Sequence, residues 1–166
     1  MRRLILLRHA KAQKAADDFE RPLSDQGRED AALIGRALAA EGLIPDRALV
    51  SGALRTRQTW QAAAAAFPKA KAQVRKDLYL ADARTLLDAV EDEADADTLM
   101  VVAHNPGVHA LAIGLLLQGS AAPSVVAKVE RGFPTATAAV FTFDAAGRPA
   151  YDGLFYAADH GGGGGE

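Results

Sequence analysis

Leu4-Ile5-Leu6-Leu7 is an unbroken apolar run closed by Arg8-His9. A half-exposed strand alternates apolar and polar residues; a short continuous run fits a strand buried on both faces of a parallel sheet. The chain is thereby directed toward a layered α/β fold with this strand near its centre. Arg8 and His9 then emerge from the strand's carboxyl end, where open α/β sheets bind their ligands.

A second run of the same kind, Thr98-Leu99-Met100-Val101-Val102-Ala103, also ends on a histidine, His104. Between and after these runs the pattern keeps switching between strand and helix. Ser24 is placed to cap a helix carrying Leu33, Ile34, Ala37 and Leu38, with Gly42 as its stop and Pro45 beyond. Ala48 to Ser51 reads as a strand, and Leu54 to Phe67 as an alanine-rich helix closed by Pro68. A short strand is expected within Val74 to Leu80. Asp82 is expected to cap a helix carrying Leu86, Leu87 and Val90, and Glu91 to Asp97 forms an acidic connection. Asn105-Pro106-Gly107 opens a helix through Leu117, since proline is tolerated in a first turn. Val125, Val126 and Val129 predict a short helix stopped at Gly132. Thr135 to Phe143 predicts a strand, Asp144 to Pro149 a turn, and Tyr151 to Tyr156 its hairpin partner. Gly161 to Gly165 has no strand before it or helix after it, so it reads as a flexible tail and not as a phosphate-binding loop. The sum is a mostly parallel central sheet with an antiparallel edge strand, between helical layers.

Composition narrows the chemistry. The absence of cysteine removes disulfides, thiolate metal sites and cysteine nucleophiles together. A net charge of -2 gives no general attraction to nucleic acid or anionic membrane, so any anion site must be local. Arg8 and His9 interrupt the first apolar run too early for a signal-peptide core or a membrane span, which points to a cytoplasmic protein.

Three segments place cationic or imidazole groups at strand ends: Arg8-His9, Ser51 through Thr59 with Arg55 and Gln58, and His104-Asn105-Pro106-Gly107. Together they resemble the motifs of the histidine phosphatase superfamily, whose fold is called phosphoglycerate mutase-like. Ala10 stands where glycine usually follows the arginine-histidine pair, and Gly52 where proline is frequent. Arg21-Pro22-Leu23-Ser24 with Gly27, the histidine-asparagine-proline-glycine stretch, and Phe133-Pro134-Thr135 extend the resemblance to the small bacterial phosphohistidine phosphatase branch, SixA. The resemblance spans Leu4 to Phe143. It implies a three-layer α/β/α sandwich, expected over residues 1–158, and the composition after it adds a flexible glycine-rich tail at 159–166.

The chemistry agrees with these residue types. A neutral imidazole, with a reference pKa of about 6.5, is a usable nucleophile toward phosphorus near neutral pH. His9 is that candidate. Guanidinium forks hold phosphoryl oxygens in pairs, a role suited to Arg8 and Arg55. His104, protonated or donating one ring hydrogen, would stabilise the same oxygens. Arg21 has two readings, a phosphate contact or an ion pair with an acidic neighbour such as Glu20 or Asp25. Gln58 and Thr59 read as hydrogen-bonding support, Arg57 as a solvated helix residue, and His109 and His160 as non-catalytic.

Many superfamily members carry an acidic proton donor two residues after a leucine between the two halves of the pocket. Here Leu78-Tyr79-Leu80 puts leucine there, and nearby Asp82 reads as a helix cap. An alkoxide leaving group needs that proton more than an imidazole does, so the substitution favours phosphohistidine and disfavours mutase activity. Only 44 residues separate Thr59 from His104, too few for the large lid-like insertion of mutase-like relatives. An uncovered pocket can admit a side chain on a folded protein, and the phosphohistidine-bearing partner that the SixA resemblance implies is a histidine phosphotransfer domain of a signalling relay. Two alternatives stand beside this reading: a small-metabolite phosphomonoesterase of the same mechanism, and a non-catalytic phosphate-binding domain. Metal-dependent hydrolysis finds no HExxH, paired-histidine or cysteine-histidine spacing, and Asp95 and Asp97 precede a strand where a dehalogenase-like phosphatase needs them after one. No metal or other cofactor is expected.

Overall fold

The structure is a computed structural model describing residues 1–163. Among them, strands β1 (Arg3–Arg8), β2 (Arg47–Ser51), β3 (Lys71–Arg75), β4 (Thr98–Ala103), β5 (Ala138–Phe143) and β6 (Pro149–Phe155) form one sheet in the order β3-β2-β4-β1-β5-β6. The pairs β1–β4, β4–β2 and β2–β3 are parallel, while β5 is antiparallel to β1 and to β6. The unbroken apolar runs have become β1 and β4, side by side in the middle. Helices α1 (Asp25–Ala40), α2 (Leu54–Ala63), α3 (Ala83–Glu91), α4 (Gly107–Gln118) and α5 (Pro123–Glu130) complete the layers.

Successive side chains of a strand point to opposite faces, so each central strand feeds two cores. Leu4, Leu6, Leu99 and Val101 pack with Leu86 and Val90 of α3, Leu111 and Leu115 of α4, and Val129 of α5. Ile5, Leu7, Met100 and Val102 pack on the other face with Ile34 and Leu38 of α1, Ala63 of α2, and Phe67. This double burial is why β1 and β4 have no polar face, and it makes the three-layer α/β/α sandwich.

The helix starts follow the caps read from the sequence. Ser24 Oγ accepts from Gly27 N–H at 3.0 Å, and Asp82 Oδ1 accepts from Thr85 N–H at 2.9 Å. Gly42, with φ of 73°, ends α1 in the left-handed conformation that glycine adopts without penalty. Other boundaries move. The strand expected within Val74 to Leu80 is earlier, at β3, because Lys71 N–H bonds Asp46 O and the ladder to β2 ends at Arg75; Lys76–Leu78 then turns as a 3-10 helix. The helix expected to Phe67 tightens into a 3-10 turn at Ala64–Ala66. Residues 135–137 are not in β5: they cross the end of β1, where Ala136 N–H donates to His9 O. Of the tail expected over 159–166, residues 164–166 lie outside the described residues, and Gly163 N–H donates to Asp30 Oδ1 at 2.9 Å.

Candidate active site

The parallel register sets the site. Arg8 pairs with Ala103, so the residues that follow, His9 and His104, leave adjacent strands side by side. Their rings lie 5.4 Å apart between centroids at a 55° tilt, and His9 N–H donates to Ala103 O. Ser51, at the carboxyl end of β2, lies beside His104 from the next strand over; Ser51 Oγ and His104 Nε2 share a 2.7 Å hydrogen bond. The first turn of α2 brings in Arg55, whose side chain is buried. Five residues from three strand ends and one helix thus meet at one crevice: Ser51 and the four singled out in the sequence, Arg8, His9, Arg55 and His104.

The surrounding backbone fixes each of these groups. His9 Nδ1 lies 2.8 Å from Ala10 O, a carbonyl that can only accept, so Nδ1 carries the proton and Nε2 holds the lone pair. Ala10 N–H in turn donates to Thr59 Oγ1 at 2.9 Å, and Thr59 Oγ1–H donates to Arg55 O at 2.7 Å. Thr59 therefore ties the His9 loop to the helix bearing Arg55. Arg8 Nη1 and Asn105 Nδ2 both donate to Phe133 O, at 3.1 and 3.0 Å, which is what the Phe133-Pro134-Thr135 stretch does here.

Both imidazoles are neutral. Burial away from water is the largest cause for each and lowers His9 to about 3, with Arg8 and Arg55 adding to the effect; His104 is likewise lowered to about 3 by burial, then by His9 and Arg55. Of the two states read for His104 in the sequence, the one that donates a single ring hydrogen is therefore the one that fits. Its Nδ1 and Arg55 Nε are buried polar atoms with no hydrogen-bond partner among the described residues.

The segment between β1 and α1 forms one wall. Ser24 N–H donates to Lys11 O and Gln13 N–H to Pro22 O, closing residues 14–21 into a loop. Gly27 is required at the base of this loop because a Cβ there would stand 2.1 Å from Lys11 O. Gln58 Oε1 accepts from Leu23 N–H at 2.8 Å and holds the loop to α2. Arg21 Nε donates to Gln13 O at 2.9 Å, and its Nη1 meets Asp18 at 3.3 Å; the acidic partner is neither Glu20 nor Asp25. Gly107 does a similar service on the opposite wall, since a Cβ there would lie 1.9 Å from Ala81 O.

Asp18 and Tyr79 went unnoticed in the sequence. Arg55 Nη1 donates to Asp18 O at 2.7 Å and Nη2 to Asp18 Oδ2 at 3.1 Å; the Tyr79 hydroxyl also donates to Asp18 Oδ2. The Tyr79 ring packs edge-on against His104 at 5.6 Å and against Phe19 at 4.9 Å. The available signal for Asp18 was its three-residue spacing to Arg21, which fits an ion pair in a tight turn. Leu80, at the usual acidic position, is exposed, and Asp82 is occupied as the cap of α3. His109 Nε2–H donates to Val129 O at 2.6 Å and its ring stacks on Phe133, while His160 stacks on Phe155.

Comparison with known proteins agrees with this arrangement. The family model described as histidine phosphatase superfamily (branch 1) matches residues 4–82. An uncharacterized protein of Mycobacterium tuberculosis is 34% identical over 137 residues, covering 81% of this chain and 85% of its own. The crystal structure of a candidate phosphohistidine phosphatase SixA from Agrobacterium tumefaciens is 31% identical, with a TM-score of 0.83 over 93% of this chain and 97% of that one. The structure of the protein histidine phosphatase SixA complexed with tungstate shares the fold, with a TM-score of 0.76 at 24% identity over 95% of this chain and 98% of that one. Among the described residues, no helix is long and apolar enough to cross a membrane.

Proposed function

The chain belongs to the histidine phosphatase superfamily, SixA-like in fold, and from that premise we propose that this phosphatase removes the phosphoryl group from phosphohistidine on a protein, with His9 as nucleophile. The observation that carries the reading is the pinned tautomer of His9: Nδ1–H is held by Ala10 O, which leaves the Nε2 lone pair for phosphorus beside Arg8, Arg55 and His104.

In the first step Nε2 attacks phosphorus, a new P–N bond forms on His9, and the P–N bond of the substrate breaks. The departing imidazole takes up a proton from solvent. In the second step a water oxygen attacks phosphorus, the P–N bond to His9 breaks, the water's surplus proton passes to solvent, and phosphate leaves while Nε2 regains its lone pair. Arg8 and Arg55 bind the phosphoryl oxygens. With the Ser51 hydroxyl donating to Nε2, His104 carries its proton on Nδ1 and offers it to the same oxygens. Arg21 is bound to the loop wall through Gln13 O and Asp18 and lends its charge to the site. No residue at position 80 supplies a proton, which is tolerable for an imidazole leaving group and costly for an alkoxide.

The test is phosphate release, in the presence of chelator, from a phosphohistidine-bearing phosphotransfer domain beside an aryl phosphate, with wild type and His9→Ala. Release from the phosphoprotein that vanishes in His9→Ala is expected. Turnover of the aryl phosphate alone would move the substrate to a small molecule, and full activity of His9→Ala would overturn the mechanism.

A further inference from the structure

We propose that Asp18 is a specificity-determining residue: its carboxylate sets the charge around the leaving group, so that the site accepts a phosphoryl group on a neutral or cationic carrier and disfavours small phosphoesters that carry a second anion. The inference rests on the reading of His9 as nucleophile and names a property of the leaving group that this reading leaves open.

The first argument is position. His9, Arg55 and His104 are 6%, 3% and 1% exposed and form the floor, whereas the Asp18 side chain is 48% exposed and sits above Arg55 at the rim. Phosphoryl transfer is roughly in line, so the leaving group stands opposite the nucleophile and therefore outward from the floor. The loop carrying Asp18 and the edge of Tyr79 are what it meets there. Asp18 is also held in place: Arg55 donates to its Oδ2 and to its main-chain carbonyl, Arg21 lies 3.3 Å from its Oδ1, and the Tyr79 hydroxyl donates to Oδ2.

The second argument is charge balance. Of the charged side chains, those that bear most on the neutral imidazoles are Arg8 and Arg55 on both, Arg21 on His9 and Asp18 on His104. Three guanidiniums less one carboxylate leave two positive charges, the complement of a phosphoryl dianion. A carboxylate on the leaving group would find its nearest cations, Arg21 and Arg55, already engaged, and Asp18 itself facing it. Asp18 is unsuited to the other role open to a carboxylate at this place: the Tyr79 hydroxyl foremost, then Arg55 and Arg21, hold it at about 2, so it has no proton to give. A unit charge acting over several ångströms at the effective dielectric of a protein rim changes relative binding by about tenfold or more.

The experiment measures kcat/KM for phenyl phosphate and for 3-carboxyphenyl phosphate with wild type, Asp18→Asn and Asp18→Ser. Wild type is expected to prefer the uncharged leaving group. Both variants are expected to raise the ratio of carboxylated to plain substrate by about tenfold, and added salt should shrink the wild-type discrimination. A residue that merely buttresses Arg55 would lower both rates together and leave the ratio unchanged, which would overturn the inference alone. Failure of wild type to turn over either ester or the phosphohistidine protein would overturn the proposed function and this inference with it. Two neutral replacements keep the test open if one fails to fold, because the readout is a ratio.

Discussion

Ser51 Oγ and His104 Nε2 lie 2.7 Å apart, both residues buried, at the ends of neighbouring strands β2 and β4. The bond fixes the ring plane of His104, and in the proposed mechanism the hydroxyl donates to Nε2 so that Nδ1 carries the proton. Ser51→Ala removes that control without adding bulk. We expect kcat to fall about tenfold or more with a smaller change in KM, while thermal unfolding shifts by about 1 kcal/mol, the usual cost of one hydrogen bond. Steady-state kinetics with parallel calorimetry checks it. An unchanged kcat would mean that the tautomer of His104 does not matter.

Thr59→Val tests the link between the two halves of the site. The substitution keeps the shape of the side chain but removes the oxygen that accepts from Ala10 N–H and donates to Arg55 O. A buried N–H left without a partner costs about 1–3 kcal/mol, to be read from urea unfolding. Because Ala10 O holds His9, kcat should fall along with stability.

Gly107→Ala is expected to be worse than its single methyl suggests. The new Cβ would stand 1.9 Å from the Ala81 carbonyl, so either the 79–82 segment or the start of α4 must move. Overpacking of this kind costs about 1–3 kcal/mol. Tyr79 and His104 border the displaced backbone, so activity should drop at temperatures where the variant is still folded, which circular dichroism and a phosphatase assay on one sample would reveal.

The pH dependence of stability follows from the neutral imidazoles. His9 and His104 are near 3 in the folded protein and near 6.5 when unfolded. Between those values the unfolded chain binds more protons, so stability is full above about 6.5 and is lost as the pH falls toward 3. Calorimetry from pH 7.5 to pH 4 should show a falling Tm. His104→Asn, which removes one of the two groups, should flatten the slope whatever it does to the plateau.

Much of the architecture was legible because burial on both faces leaves a plain mark. Leu4 to Leu7 and Thr98 to Ala103 had no polar face to show, and the residues directly after them had to lie at the ligand-binding edge of the sheet. Caps were equally readable, since Ser24 and Asp82 act through local N–H groups three residues on. The end of β3 was not, because its bounds are set by the ladder to β2 and not by its own mixed sequence. For Arg21, the reading as an ion pair with an acidic neighbour such as Glu20 or Asp25 meets its partner in Asp18, which the turn at Asp18–Glu20 carries toward it.

By itself the sequence determined which groups could do chemistry: two histidines and two arginines at the mouths of buried strands, with no cysteine to compete. Strand register and α2 brought them to one crevice, but tertiary structure alone decided how each is set. The proton on His9 Nδ1 is fixed by the Ala10 carbonyl, the ring of His104 by Ser51 from another strand, and the charge at the rim by Asp18 from a loop without periodicity. Carbonyl contacts and long-range pairs have no spacing rule in a chain, because they depend on where distant backbone comes to rest.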